Sequence, residues 1–190
     1  MTKNFVTNNS VTLLFDLDGT LVDTNLANYL TYKIAIEKVI NTKISISYNP
    51  RERFNRVVLK KVIPDLTKKE YEKIIKLKNK LFTKYLPKTK LNTLVVNTLK
   101  KYSKTNTTIL VTNCRKDRAL MTLKYHGIIN LFTHLLYRQN VCGLNNANKY
   151  KIALLRFKLS PDSVIVFENE EFEIKDAVLA GIPRKNIVTM

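Results

Sequence analysis

The chain has 190 residues, with 33 Lys and Arg against 15 Asp and Glu and a net charge of +18. With 45% hydrophobic and 25% charged residues it has enough apolar side chain for a core, which excludes a disordered chain and a large multidomain machine and favours one domain with a modest insertion. Cys114 and Cys142 stand in no metal-type spacing, the opening MTKNFVTNNS carries no secretory pattern, and no apolar run reaches the ~18–20 residues of a membrane span, so a cytoplasmic protein with reduced thiols and no membrane partner is expected.

In chain order, Val11 to Phe15 (VTLLF) is a short apolar run that ends abruptly in Asp16, Asp18 and Gly19, the pattern of a buried parallel strand opening into a loop. Carboxylates at the C-terminal end of such a strand lie where open α/β sheets bind ligands. From Thr24 to Lys88 no strand run is evident; helical spacing over Leu26 to Ile40, Arg51 to Ile63 and Lys68 to Leu86, punctuated by Pro50, Pro64 and Pro87, predicts an α-helical insertion. This segment holds 16 Lys and Arg against 5 Asp and Glu, so it carries most of the excess charge.

Strand runs then recur at Thr107 to Val111 and Ser163 to Phe167, and more weakly at His134 to Tyr137 and Asn186 to Val188. Between them, Lys116 to Tyr125, Tyr150 to Leu159 and Phe172 to Ala180 have helical periodicity, the last stopped by Gly181-Ile182-Pro183. Strands alternating with helices of this length predict an α/β fold with a doubly wound parallel sheet, of Rossmann-like type. The expected organisation is a core of residues 1–23 plus 89–190 and a helical insertion of residues 24–88.

Asp16 and Asp18 stand two residues apart, so with Leu17 pointing the other way both face one site and can share a cation, while Gly19 permits the turn that follows. The run Asp16 to Asp23 (DLDGTLVD) resembles the first motif of the haloacid dehalogenase (HAD) superfamily, and Val111 to Asn113 resembles its second. The ending Val178 to Pro183 (VLAGIP) is similar to the close of that family's last motif helix, and the insertion corresponds to a helical cap. The likeness is to the capped phosphatase type, such as phosphoglycolate phosphatase and beta-phosphoglucomutase.

The resemblance implies a phosphomonoesterase that uses Mg²⁺ and forms an aspartyl-phosphate. Asp16 would be the nucleophile, Asp18 the general acid and base as well as a metal ligand through its carbonyl, and Thr112 and Asn113 would bind the phosphoryl group. Lys149 would be the charge-neutralising lysine, with Lys151 as the alternative. In the fourth motif Asn169 stands where the family usually has a metal-binding Asp. Val166 to Asn169 (VFEN) is similar to a Val-Phe-Glu-Asp variant, which makes Glu168 and Asn169, with Asp16 and Asp18, the implied metal set.

Glu173 stands where the family commonly has a second acid or, in some members, a Gly; Glu170, Glu171 and Glu173 are nearby candidates whose favoured reading is a solvated helix start, and Arg115 and Arg118 could contact substrate, with a solvated face the favoured reading. Asp23 is read as shaping the loop into the insertion. Asp18 argues against a dehalogenase, while a phosphomutase keeps both acids and stays open. The expected partner is a small phosphorylated substrate, and the basic insertion suits a multiply phosphorylated or nucleotide-like one. The alternative is a weakened enzyme whose basic segment binds nucleic acid or another polyanion.

Overall fold

The computed structural model describes residues 10–41, 45–50, 52–137 and 148–189. The backbone divides into two compact units, one of residues 1–22 and 91–190 and one of residues 23–90. Cys142 and residues 145–147, part of the polar loop expected before Lys149, lie outside the described residues.

In the first unit five parallel strands form a sheet in the order β5-β4-β1-β6-β7, built from β1 (Thr12–Phe15), β4 (Thr108–Val111), β5 (His134–Leu136), β6 (Val164–Phe167) and β7 (Ile187–Val188). Burial on both faces is what makes β1, β4 and β6 read as continuous apolar runs. Successive side chains alternate between faces, and two separate cores result. Leu13, Phe15, Leu110 and Phe167 pack with Val95, Val96 and Leu99 of α4 (Thr93–Tyr102) and Ala119 and Leu123 of α5 (Lys116–Tyr125). Leu14, Ile109, Val111, Val164 and Val166 pack with Tyr150, Ala153 and Leu154 of α6 (Lys149–Phe157) and Ile174 and Ala177 of α7 (Glu171–Leu179). A helix pair on each face is the doubly wound architecture that the alternation predicts.

Register fixes the site. Phe15 pairs with Leu110 on one side and Phe167 on the other, and the rings of Phe15 and Phe167 stack at 4.5 Å and 7°. The ladder runs one residue further: the N–H of Asp16 donates to the Phe167 carbonyl (3.1 Å), that of Thr112 to Leu136 (3.0 Å) and that of Glu168 to Val188 (3.1 Å). Asp16, Thr112 and Glu168 therefore leave the sheet at one edge, at fixed height.

The second unit contains α1 (Asn25–Ile40), α2 (Arg56–Val62) and α3 (Lys68–Leu81), followed by a 3₁₀ turn over Phe82–Lys88. Two boundaries differ from the sequence expectation. Helix α2 begins at Arg56 because Asn55 caps it, its side chain accepting from the N–H groups of Val57 (2.8 Å) and Val58 (3.1 Å). Helix α3 tightens at Phe82, ahead of Pro87, which lies in the 3₁₀ turn. Its start is a capping box in which Thr67 and Glu70 each bond the other's backbone. Tyr32, Ala35, Ile36, Phe54, Leu59 and Ile74 form this unit's own core. Where the chain passes between units, β2 (Val22–Asp23) and β3 (Lys90–Leu91) pair as a short separate ladder, and α4 follows; the sequence reading assigned neither the ladder nor α4. Among the described residues no helix is long and apolar enough to cross a membrane.

Candidate active site

Parity along the strands decides who meets whom at the sheet edge. Asp16 follows Phe15 and shares a face with Leu14, and Glu168 shares one with Val166; that is the face covered by α6. Asn148 caps α6, its Oδ1 accepting from the Lys151 N–H (2.9 Å) while its Nδ2 donates to the Asp176 carbonyl (2.7 Å). The cap pins the first helical residue, Lys149, against the sheet. Its Nζ donates to Asp16 Oδ1 and to Glu168 Oε2, both at 2.8 Å. Lys151, the alternative lysine, is exposed.

This network is buried: Lys149 is 6%, Asp16 5% and Glu168 1% exposed. A third carboxylate joins it. Glu173 Oε2 lies 3.1 Å from Lys149 Nζ, an ion-pair distance, yet this buried oxygen has no hydrogen-bond partner among the described residues. Its other oxygen accepts from Asn113 Nδ2 at 2.9 Å. Glu173 is thus part of the site and not a solvated helix start. The signal was present in the spacing, since Glu173 stands four residues before the buried Ala177 on the inward stripe of α7.

One ammonium facing three carboxylates leaves a negative excess, and the titration behaviour follows. Burial, reinforced by Glu168 and Asp18 and opposed by Lys149, raises the Asp16 carboxyl from 3.8 to about 6. Burial alone would discharge Lys149, but Asp16, Glu168 and Glu173 outweigh it and hold the ammonium well above its ordinary value. The Tyr150 phenol, buried and donating to Glu168 Oε2 at 2.6 Å, is pushed far up and stays protonated.

Glu168 is held from four sides. Its Oε1 accepts from the backbone N–H groups of Asn169 (2.9 Å) and Glu170 (3.0 Å), and its Oε2 from Lys149 and Tyr150. A carboxylate has about four lone-pair sites, and four protein donors meet those of Glu168, so Glu168 anchors the lysine.

Arg118 is the second correction. Its guanidinium pairs with Asp18 Oδ2, and its Nε donates to Cys114 Sγ at 2.9 Å. With only 14% of its side chain exposed it is largely buried and does not belong to a solvated face. Arg118 stands four residues from both buried Cys114 and buried Thr122, a spacing that marks an inward position. Arg115, by contrast, is exposed and paired with Asp117, as a solvated face requires.

Thr112 is 2% exposed, and its Oγ1 accepts from the Cys114 N–H at 3.1 Å, so the chain turns sharply after β4. Asn169 Oδ1 accepts from the Thr20 hydroxyl at 2.9 Å. The loop after Asp18 passes so close that a Cβ on Gly19, whose φ is +89°, would lie 2.7 Å from Asn169 Nδ2. Glycine is required there both for conformation and for space. Asp23 accepts from the Asn25 N–H at 2.9 Å and shapes the entry to α1.

The side-chain groups that this edge offers a cation are oxygens: the Asp16 carboxylate, the Asn169 amide oxygen and Glu173 Oε2, which accepts no hydrogen bond among the described residues. That chemistry fits Mg²⁺, which keeps several waters and is held by one or two carboxylates together with substrate phosphate. Among the described residues, no three His, Cys, Asp or Glu side chains form a ready metal cage.

Comparison with known proteins agrees with this geometry. The family model for haloacid dehalogenase-like hydrolases matches residues 13–187. Among solved structures, a predicted phosphoglycolate phosphatase from Haemophilus somnus superposes with a TM-score of 0.77 at 19% identity, covering 96% of this chain and 86% of its own. A haloacid dehalogenase-like family hydrolase from Streptococcus pneumoniae gives 0.75 at 18%, covering 93% and 83%. A beta-phosphoglucomutase candidate from Thermotoga maritima gives 0.63 at 21%, covering 94% and 84%. No curated protein sequence matches the chain. With a family match over nearly its whole length and a sheet edge that gathers Asp16, Thr112, Lys149 and the fourth-motif residues, the chain belongs to the haloacid dehalogenase-like hydrolases.

Proposed function

We propose that the protein hydrolyses a phosphomonoester through an aspartyl-phosphate on Asp16. The observation that carries this reading is the buried Asp16–Lys149–Glu168 network at the C-terminal edge of a parallel sheet. Lys149 is kept charged by Asp16, Glu168 and Glu173 around it, and it holds one oxygen of Asp16. It thereby aims the carboxylate and offsets the negative charge that a phosphate brings. Glu168, with all its lone pairs engaged, holds Lys149 in place.

Attack by the free Asp16 oxygen on phosphorus forms the acyl-phosphate bond and breaks the bond to the leaving oxygen, which takes a proton from Asp18. Water, deprotonated by the same Asp18, then releases phosphate and regenerates Asp16. Thr112 Oγ1 and the N–H groups that follow it bind the phosphoryl oxygens. For this cycle Asp18 must exchange its contact with Arg118 for one with the leaving group, and the phosphate dianion supplies Arg118 with a replacement partner.

Mg²⁺ would be held by Asp16, the Asp18 carbonyl, Asn169 and Glu173, and when bound it supplies charge neutralisation at the phosphoryl oxygens. Because Asn169 is neutral where an Asp would add a charge, the site relies on Glu173 and on substrate phosphate for affinity. The helical unit is read as the cap that selects the substrate, a small phosphorylated molecule.

The test is hydrolysis of p-nitrophenyl phosphate with and without Mg²⁺ by the wild type, Asp16→Asn and Asn169→Asp. The expected result is Mg²⁺-dependent turnover that disappears in Asp16→Asn, with the half-saturating Mg²⁺ concentration lowered roughly tenfold in Asn169→Asp. Turnover that persists in Asp16→Asn overturns the proposal.

A further inference from the structure

The catalytic reading leaves unused the largest concentration of charge in the molecule. Residues 23–90 contain 17 Lys and Arg and 6 Asp and Glu, a net +11. Within this unit α2 and α3 enclose an open cleft of about 310 Å³ lined by Arg56, Val57, Lys60, Lys61 and Tyr71. Its volume is at the lower end of the ~300–1,000 Å³ of small-ligand sites, large enough for one unit of a polymer. Three of its five lining residues are cations and none is an acid.

Arg56, Lys60 and Lys61 are exposed, and among the described residues no ion pair neutralises them. The contrast with Lys149 and Arg118, each matched to a carboxylate, is direct. Nor is the cleft purely electrostatic. Tyr71 contributes a half-buried ring with Lys60 Nζ 5.6 Å from its centroid, and Val57, 61% exposed, adds an apolar rim. A flat ring between cations suits a ligand that alternates anionic groups with planar apolar ones. An acidic peptide supplies the second only where aromatic residues alternate with its acids, whereas every nucleotide carries both.

We propose that this cleft binds single-stranded nucleic acid, with Arg56, Lys60 and Lys61 on successive phosphates and a base against Tyr71. The lysines of α3, exposed at Lys68, Lys69, Lys73, Lys76 and Lys80, extend the positive track beyond the cleft and steer the strand towards it. The proposal goes beyond the phosphatase reading and does not depend on it, since none of these residues belongs to the Asp16 site.

The experiment is fluorescence anisotropy of a labelled dT12 oligonucleotide titrated with the full chain at several salt concentrations. Parallel titrations use Lys60→Gln/Lys61→Gln, Tyr71→Leu and a charge-matched control in the other unit, Lys100→Gln/Lys104→Gln. Wild-type binding should fall linearly on a log–log plot against salt. The double cleft variant should weaken it at least tenfold and flatten the slope by roughly 1.4, about 0.7 for each lost phosphate contact. Tyr71→Leu should weaken binding roughly fivefold or more at an unchanged slope. The control should stay within about twofold, and p-nitrophenyl phosphate hydrolysis by the cleft double variant should match the wild type. Absence of oligonucleotide binding overturns the proposal, as do equal losses in the control and in the cleft variant. Displacement of the strand by inorganic phosphate or by a mononucleotide at comparable concentration also overturns it, because the cleft would then be a small-anion site.

Discussion

The two units handle charge in opposite ways. In the sheet unit, Lys149 is buried and faces Asp16, Glu168 and Glu173, and Arg118 is largely buried and faces Asp18. In the helical unit, Arg56, Lys60 and Lys61 are exposed, and among the described residues no ion pair holds them. A buried charge is tolerable only when matched, so its position is dictated to a fraction of an ångström and its partners can be counted. An exposed charge costs little and specifies little. Chemistry therefore belongs to the first arrangement and attraction at a distance to the second.

The comparison breaks most visibly at Lys149. Lys149→Met leaves three carboxylates around an apolar side chain; turnover should fall to background and stability by about 3–5 kcal/mol, read by urea denaturation. A variant as stable as the wild type would mean that the network is not what holds this edge of the sheet.

Asp16→Asn acts on the same cluster with the opposite sign for folding. The folded carboxyl titrates near 6 against 3.8 in the unfolded chain, so the stability linked to its protonation is complete below about pH 4 and lost as pH rises through 6. Replacing it by a neutral amide removes that loss. The variant should be inactive, yet more stable than the wild type by on the order of 2 kcal/mol at pH 7.5, with the advantage vanishing near pH 4. Thermal melts at the two pH values check this, and a variant destabilised at both would contradict it.

Arg118→Leu strands Asp18 in the interior and should cost about 1–3 kcal/mol along with a tenfold or larger fall in turnover, whereas Arg118→Lys keeps the charge without the fork and recovers part of both. Smallest is the effect of Lys60→Gln/Lys61→Gln on folding, expected within ±0.5 kcal/mol per substitution in the same denaturation assay.

Much of the fold was legible because burial on both faces writes itself into sequence. The runs at β1, β4 and β6 and the stripes of α5, α6 and α7 needed no partner to be recognised. Asp16 and Lys149 were legible for a related reason, each sitting at the boundary of a regular element. Arg118 and Glu173 were legible only in part: their spacing from buried residues marks an inward position, but the group that each one meets lies far away in the chain. Asp18 is 100 residues from Arg118, and Asn113 is 60 from Glu173. Glu168 was visible as an acid at a strand end, but the four donors that occupy it come from the next two residues and from Tyr150 together with Lys149, and sequence alone did not suggest that they converge.

The strand order also bears on how the chain is made. The central strand, β1, is the first to be synthesised, while its neighbours β4 and β6 begin at Thr108 and Val164. During translation the helical unit emerges complete in between, and its close-in-sequence contacts suit rapid folding on the ribosome. Strand β1 must meanwhile wait, apolar and unpaired, with Asp16 in water. Closure of the sheet comes only when the last third of the chain arrives, so a nascent chain with only residues up to about 108 clear of the ribosome carries the helical unit complete and the sheet edge unassembled.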